Sequence, residues 1–303
     1  MLDFFSAPPN LPTSSDALAL LGDDLDYDFA GRIAGPYAFW LDWKVPALGV
    51  LFYLVVSEPL FDAVRGVTGG VHKGVVFAHN VALAAYSGWS AFYTWRILFA
   101  AIARSGFRGM HCDRDVWRGA DGFGTFAVIF YVSKYYEFVD SWILVLKNSD
   151  GKHAPSFLQK YHHAGIVVCM YAAVVSEANW MLIAVTFNCT IHFFMYSSRG
   201  RAGNAFDAGE RRGCFRLRGT PRRLRYYAAA TLGYKSPLAK LLTTCQMLQF
   251  IIGIVSAGAC YFYDPCAGAN KPAQLACGLT QVYAAGLIYL FNEMRKRKYG
   301  KRA

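Results

Sequence analysis

Long apolar blocks alternate with short polar stretches along the chain. The blocks are rich in aliphatic and aromatic side chains, and most approach the roughly 20 residues that a helix needs to cross hydrocarbon. Apolar runs of this length predict membrane helices. The blocks cover residues 45–64, 75–102, 122–146, 163–176, 178–197, 238–263 and 275–291. We therefore predict an all-α, polytopic membrane protein with about seven transmembrane helices.

Charge is distributed unevenly between the two ends of the chain. Residues 1–38 carry six aspartates and one arginine, whereas residues 294–303 carry six lysines and arginines. Cationic flanks stay on the cytosolic side of a membrane. We therefore expect an acidic lumenal segment at 1–38, a seven-span domain at 39–293 and a basic cytosolic tail at 294–303. An odd number of spans agrees with this orientation.

One segment, residues 198–225, does not fit the pattern of spans and short loops. It holds nine arginines against one aspartate and one glutamate, a net charge of +7 out of the chain's +11. So polar a composition cannot bury a core and predicts disorder. With only two aromatic residues, Phe206 and Phe215, among its nine arginines, it does not resemble a nucleic-acid groove. We interpret it as an inserted loop or a translated intron within the seven-span domain.

The eight cysteines show no metal-binding spacing, so we predict no metal site. Cys112 and Cys266 fall in loops assigned to the lumenal side. If that side is the endoplasmic reticulum lumen, which is oxidising, a disulfide can join them. Two unrelated free thiols are the alternative.

Polar residues are costly inside membrane spans and therefore mark candidate functional sites. In KYYEFVDS, the residues Lys134, Glu137 and Asp140 recur every third position. This spacing places them within one arc of a helix, where they can pair internally and face the bundle interior. The alternative is a buried ion-pair network that only fixes helix packing.

A pair of histidines follows in QKYHH, where Gln159 lies three and four residues before His162 and His163. Residues at these spacings are neighbours on a helix surface. Imidazole titrates near neutrality and can act as nucleophile, base or acid. The group therefore predicts catalysis, with solvated histidines at the membrane interface as the alternative.

Two more polar groups lie in later spans. In NCTIHFFMY, Asn188 and His192 are four residues apart, with Met195 on the same side. In TTCQMLQF a three-residue step relates Thr243, Gln246 and Gln249. Because unpartnered amides are costly in hydrocarbon, we expect these groups to line a shared polar interior, as interhelical hydrogen bonds or as substrate contacts.

The four stretches, in this order, resemble the signature boxes of the ELO family of very-long-chain fatty acid elongases, from about residue 37 to 293. The family's third box continues as M-Y-x-Y-Y, and deletion of 198–225 would restore it from Met195, Tyr196, Tyr226 and Tyr227. Two positions depart from the pattern. Many members begin the histidine box with His, where this chain has Gln159, and end the first box with Thr, where it has Ser141. Gln in the first position resembles the polyunsaturated fatty acid elongases of microalgae.

The resemblance implies helices that enclose an acyl-chain tunnel, and decarboxylative condensation of malonyl-CoA with a long-chain, polyunsaturated acyl-CoA to 3-ketoacyl-CoA. It implies that His162 carries the acyl group, that His192 assists decarboxylation or polarises the thioester, that His163 and Gln159 orient the site, and that Asn188 positions His192. Cys189 stays as a minor alternative nucleophile. Supporting roles go to the other polar residues of the boxes, namely Lys134, Glu137, Asp140, Met195, Tyr196, Thr243, Gln246 and Gln249.

Substrates, partners and location follow from the same resemblance. We expect no bound cofactor, acyl-CoA and malonyl-CoA as substrates, and an endoplasmic reticulum membrane shared with the ketoacyl reductase, dehydratase and enoyl reductase of the cycle. A homodimer is one possible assembly. Lysines on the cytosolic side are candidate contacts for CoA phosphates or simply a solvated rim, namely Lys147, Lys152, Lys160, Lys235 and Lys240.

Two other classes of membrane protein remain as alternatives. A di-iron desaturase or hydroxylase needs several histidine clusters, whereas only three of the seven histidines here lie in candidate boxes. A seven-span receptor or transporter would share the topology but would not require the four polar boxes.

Overall fold

The described part of the chain is helical almost throughout. The computed structural model describes residues 26–27, 33–34, 37–111, 113, 115–118, 123–148, 154–210, 237–262 and 271–299. Two short antiparallel strands, β1 Asp26–Tyr27 and β2 Ile33–Ala34, precede the helices. The helices are α1 Ala38–Leu41, α2 Lys44–Leu51, α3 Ser57–Thr68, α4 Lys73–Gly109, α5 Asp115–Arg118, α6 Gly124–Tyr136, α7 Phe138–Lys147, α8 Phe157–Val175, α9 Trp180–Glu210, α10 Pro237–Phe262 and α11 Lys271–Tyr299.

The apolar blocks predict these helices closely, and the all-α polytopic membrane fold is confirmed. A π-helical turn, Phe52–Val56, joins α2 to α3, and the third block is divided at Glu137 into α6 and α7. By length and composition, four helical stretches of the described residues can cross a membrane, namely Lys44–Thr68, Trp180–Ser197, Leu241–Gly258 and Pro272–Arg297. The count of seven spans stays a prediction.

Six helices form a closed ring. Helix α4 packs along α9, α9 against α10, α10 against α11, α11 against α8, and α8 against α6. The rings of Tyr93 on α4 and Phe126 on α6, 5.1 Å apart, close the circle. The stretch from α2 to α3 packs on α7 and α8. Only 11% of the residues in its apolar 18-residue stretch are buried. It therefore lies outside the ring, where lipid would cover its apolar side chains.

Two glycines allow α8 and α11 to approach closely. A Cβ atom at Gly165 on α8 would collide with the ring of Tyr283, and one at Gly286 on α11 would collide with the hydroxyl end of Tyr161. The two tyrosine rings stack, with centroids 5.5 Å apart. Each helix thus accepts a tyrosine of the other, and this reciprocal contact fixes the position of Tyr283.

The arginine-rich segment differs from its prediction in its first part. The backbone of α9 continues as helix to Glu210, so residues 198–210 are not a disordered loop. Residues 211–225, together with the Tyr226 and Tyr227 of the interrupted third box, lie outside the described residues. Cys112 and Cys266, the predicted disulfide pair, lie outside them as well.

Candidate active site

A buried ion pair lies where α6 meets α7. Lys134 is 2% exposed, and its Nζ donates to Oε1 of Glu137 at 2.6 Å. The same ammonium lies 3.9 Å from the ring centre of Phe130 and 3.4 Å from Oδ1 of Asn188 on α9. The predicted pairing of Lys134 with Glu137 is therefore present. The amide oxygen of Asn188 accepts this hydrogen bond from Lys134, whereas the sequence interpretation assigned Asn188 to the positioning of His192.

His162 lies in the second turn of α8. Ser156 caps this helix by accepting a hydrogen bond from the backbone N–H of Gln159, so the helix begins six residues before the predicted span. Nδ1 of His162 lies 2.9 Å from the hydroxyl oxygen of Tyr283. That hydroxyl donates its single proton to the carbonyl oxygen of His162, also at 2.9 Å.

The two contacts of Tyr283 together assign the tautomer of His162. A phenol has one hydroxyl proton to donate, and here Tyr283 donates it in a hydrogen bond to the backbone carbonyl. Nδ1 must therefore carry a hydrogen and donate it to the phenol oxygen. A neutral imidazole with a protonated Nδ1 has its lone pair on Nε2. Nε2 is thus the atom of His162 that can attack a carbonyl carbon.

Glu137, His162 and His192 converge, although they come from three separate parts of the chain. One nitrogen or oxygen atom of each lies within 4.8 Å of the others, and Nδ1 of His192 is 3.7 Å from Oε1 of Glu137. Carboxylate and imidazole are zinc ligands. However, the ammonium of Lys134 already pairs with Glu137 at 2.6 Å, and its positive charge would repel a cation bound there, so we assign no metal to this cluster.

Asp140 faces a different set of partners from Lys134 and Glu137. Its Oδ1 lies 3.3 Å from Nε2 of His79 on α4, and its Oδ2 accepts a hydrogen bond from the hydroxyl of Tyr196 on α9. The polar residues of the first box therefore bond in two directions.

Gln159 and His163 occupy the side of α8 that faces the π-helical turn. Nε2 of Gln159 donates to Oγ of Ser141 at 3.0 Å, and that oxygen lies 2.8 Å from the hydroxyl of Tyr53. The buried ring of His163 meets the rings of Tyr53 and Phe138 edge to face, with centroids 5.9 Å and 6.3 Å away. His162 and His163 thus face different neighbours.

A largely apolar cavity adjoins the cluster. It contains about 590 Å³ of empty space, a volume that includes open solvent at its mouth. Asn188 and Tyr283 border it, and both are bonded to groups of the cluster. From there it extends between α8, α9, α10 and α11, past Met170 and Val185 to Ala257.

The fourth box contributes polar groups to this region. Gln249 lines the cavity, and its Oε1 is buried without a hydrogen-bond partner among the described residues. Gln246 donates from Nε2 to the sulfur of Met195 at 3.6 Å, which links the third and fourth boxes. Thr243 is buried on the same helix.

The predicted CoA-binding lysines are only partly visible. Lys160 pairs with Glu58 on α3, and Lys147 is exposed at the end of α7. Lys152 and Lys235, together with the side chain of Lys240, lie outside the described residues.

Three residues of the site escaped the sequence interpretation: His79, Tyr283 and Tyr53. Each lies in one of the predicted apolar blocks, outside the four polar boxes. The adjacent polar residues His79 and Asn80 are a weak signal inside an apolar block.

Comparison with known families decides the family of the chain. The profile described as "ELO: GNS1/SUR4 family" matches residues 38–200 and 225–303. The chain belongs to the ELO family. The residues between the two matched parts, 201–224, lie wholly within the arginine-rich segment, so the ELO pattern resumes at its end.

Several proteins named as fatty acid elongases are similar to most of this chain. Fatty acid elongase 2 of Trypanosoma cruzi (strain CL Brener) is 23% identical over 272 residues, covering 86% of this chain and 83% of the relative. Fatty acid elongase 4 of Trypanosoma brucei brucei (strain 927/4 GUTat10.1) is 24% identical, covering 86% of each. Long chain fatty acid elongase 2 of Caenorhabditis elegans is 24% identical, covering 70% of this chain and 65% of the relative. No solved structure matches.

Proposed function

We propose that this ELO protein is the condensing enzyme of a fatty acid elongation cycle. It would join a long-chain acyl-CoA to malonyl-CoA, and release 3-ketoacyl-CoA, free CoA and carbon dioxide. The family and its named elongase relatives support the elongation role. The observation that carries the chemical proposal is the double contact of Tyr283 with His162, which leaves Nε2 as the nucleophile.

Acyl transfer to His162 is the first step. Nε2 attacks the thioester carbonyl, an N–C bond forms, the C–S bond breaks, and CoA departs as thiolate, which takes its proton from solvent. The imidazole then carries a positive charge until the acyl group is passed on. The Nδ1–H bond to Tyr283 and the nearby carboxylate of Glu137 stabilise that charge.

Decarboxylation of malonyl-CoA supplies the second nucleophile. The electron pair of the broken C–C bond forms an enolate, which attacks the acyl carbon and restores neutral His162 as the N–C bond breaks. Negative charge develops on the enolate oxygen. His192 and the ammonium of Lys134 are the groups of the cluster that can face this charge, and a buried site strengthens such an interaction.

The cavity accounts for the acyl chain. Its walls are mostly apolar, and it begins at Asn188 and Tyr283, beside the reacting imidazole. An acyl chain seated there would have its carbonyl carbon near His162 and its methyl end towards Ala257. We propose a polyunsaturated long-chain substrate, because Gln159 resembles the microalgal type of histidine box. We also propose residence in the endoplasmic reticulum, with a lumenal N-terminus, beside the other enzymes of the cycle.

Radiolabelled malonyl-CoA tests the proposed reaction. Microsomes of a host that expresses the full chain, or the chain without 198–225, are supplied with saturated and polyunsaturated acyl-CoAs. We expect label in 3-keto or two-carbon-longer products, with polyunsaturated chains preferred, and its loss in His162→Ala. Absence of incorporation from both chains, when both are shown to be folded in the membrane, would overturn the proposal.

A further inference from the structure

His79 on α4 is a buried histidine outside all four boxes. It is 6% exposed, and both of its ring nitrogens have oxygen partners. Nε2 lies 3.3 Å from Oδ1 of Asp140, and Nδ1 lies 3.2 Å from the hydroxyl oxygen of Tyr136. A carboxylate can only accept, so Nε2 carries the hydrogen when the imidazole is neutral. Nδ1 then accepts from Tyr136.

The hydrogen bonds converge on Asp140 from two helices of the ring. Oδ1 accepts a hydrogen bond from His79 on α4, and Oδ2 accepts one from the hydroxyl of Tyr196 on α9. The side chain of Asp140 is 14% exposed, so the carboxylate has little access to solvent. Two directed donors therefore determine its orientation.

Tyr196 connects this group to the candidate active site. It is 1% exposed, and its ring meets that of His192 edge to face, with centroids 5.6 Å apart. His192 lies one helical turn before Tyr196 on α9, with Nδ1 directed to Glu137 at 3.7 Å. A shift of the Tyr196 ring would therefore change the space available to the His192 imidazole.

We propose that His79 is a positioning residue for the active site, acting through Asp140 and Tyr196 on His192. This inference rests on the proposed condensation for its effect on turnover, although the positioning itself does not depend on that reaction. His79 forms a hydrogen bond with Asp140, Asp140 accepts a hydrogen bond from the Tyr196 hydroxyl, and the Tyr196 ring limits the rotation of His192. Because misplacement of a reacting group by about 1 Å can cost about a hundredfold in rate, loss of the first contact should lower turnover.

Substitution of His79 by leucine and by glutamine separates positioning from packing. Leucine removes both hydrogen bonds, whereas the Nε2 amide of glutamine can still donate to Asp140. We expect His79→Leu to lower kcat about tenfold or more, with KM for acyl-CoA within about twofold, and His79→Gln to recover most of the loss. Tyr196→Phe should resemble His79→Leu, and the double variant should lose little more than either one.

His111 provides a matched control for removal of a buried imidazole. It is 9% exposed, its ring packs on Phe107, and neither ring nitrogen has a hydrogen-bond partner among the described residues. His111→Leu should leave kcat unchanged. If His79→Leu turns over like the parent, or if His79→Gln is no better than His79→Leu, the positioning role is wrong.

A second readout needs no turnover and distinguishes this inference from the proposed function. Diethyl pyrocarbonate modifies accessible imidazoles, and peptide mass spectrometry can follow the rate at His192 in the full chain. We expect His79→Leu and Tyr196→Phe to raise this rate several-fold, while His111→Leu does not. If the parent protein condenses no acyl-CoA, the proposed function fails. Unchanged His192 modification in His79→Leu overturns the inference whatever the activity.

Discussion

Gln159 donates a hydrogen bond of 3.0 Å to Ser141, so the two positions that depart from the ELO pattern are in direct contact. The oxygen of Ser141 also lies 2.8 Å from the hydroxyl of Tyr53, which the π-helical turn brings to it from outside the ring. A π turn inserts an extra residue into a helix and often marks a functional position. The stretch from α2 to α3 thus contributes to the site although it lies outside the ring.

Removal of the Ser141 hydroxyl tests this three-residue contact. Ser141→Ala leaves the buried hydroxyl of Tyr53 and the half-buried amide of Gln159 without their shared partner, which costs about 1–3 kcal/mol. Ser141→Thr keeps the hydroxyl and introduces the residue common in the family. We expect lower thermal stability and activity for the alanine variant and near-parental values for threonine. Equal behaviour of alanine and parent would show that the contact has no energetic role.

Tyr283→Phe removes the hydroxyl that fixes the tautomer of His162. Without it, Nδ1 loses its acceptor and either nitrogen can carry the hydrogen, so the nucleophilic population at Nε2 falls. We expect kcat to fall about tenfold or more, with folding preserved because the ring remains. Tyr289→Phe is the control, since Tyr289 is 65% exposed on the same helix. Parental kcat in Tyr283→Phe would contradict the tautomer assignment.

Gly165→Ala tests the close approach of α8 and α11. The added methyl group would collide with the ring of Tyr283, so the helices must separate or the ring must turn away from His162. Overpacking of this kind costs about 1–3 kcal/mol, and we expect both melting temperature and turnover to fall. Gly66→Ala on α3 is the matched control, because no atom lies within 4 Å of a Cβ there. A parental Gly165→Ala enzyme would show that the contact relaxes without consequence.

The Lys134–Glu137 pair should show strong coupling in a double-mutant cycle. Lys134→Met or Glu137→Gln alone leaves an unpaired buried charge, which costs about 3–5 kcal/mol. In the double variant neither charge remains, so we expect part of the stability to return while activity stays low. Thermal unfolding in detergent micelles measures all four proteins. A double variant as unstable as the sum of the two losses would contradict direct pairing.

The sequence predicts the helices well because apolar run length determines them directly. Helix α10, Pro237–Phe262, agrees with the predicted block 238–263 to within one residue at each end. The convergence of Glu137, His162 and His192 could also be anticipated, since polar groups in separate spans seek one another away from lipid.

The partners of these groups could not be predicted in the same way. The sequence pattern placed Lys134, Glu137 and Asp140 on one arc, but the structure pairs Lys134 with Glu137 and brings Asp140 to His79 and Tyr196 instead. Which helix faces meet depends on packing. One example is the contact at Gly165 on α8, where the missing Cβ leaves room for the ring of Tyr283. A lone tyrosine or histidine in an apolar helix carries no spacing signal, so its role becomes visible only in three dimensions.

Covalent trapping tests the central proposal most directly. The full chain, purified in detergent, is incubated with a long-chain acyl-CoA in the absence of malonyl-CoA, and its peptides are examined by mass spectrometry. The acyl-imidazole mechanism predicts release of CoA and one acyl group on His162, lost again when malonyl-CoA is added. An acyl group on Cys189 instead, or full turnover by His162→Ala, would contradict it.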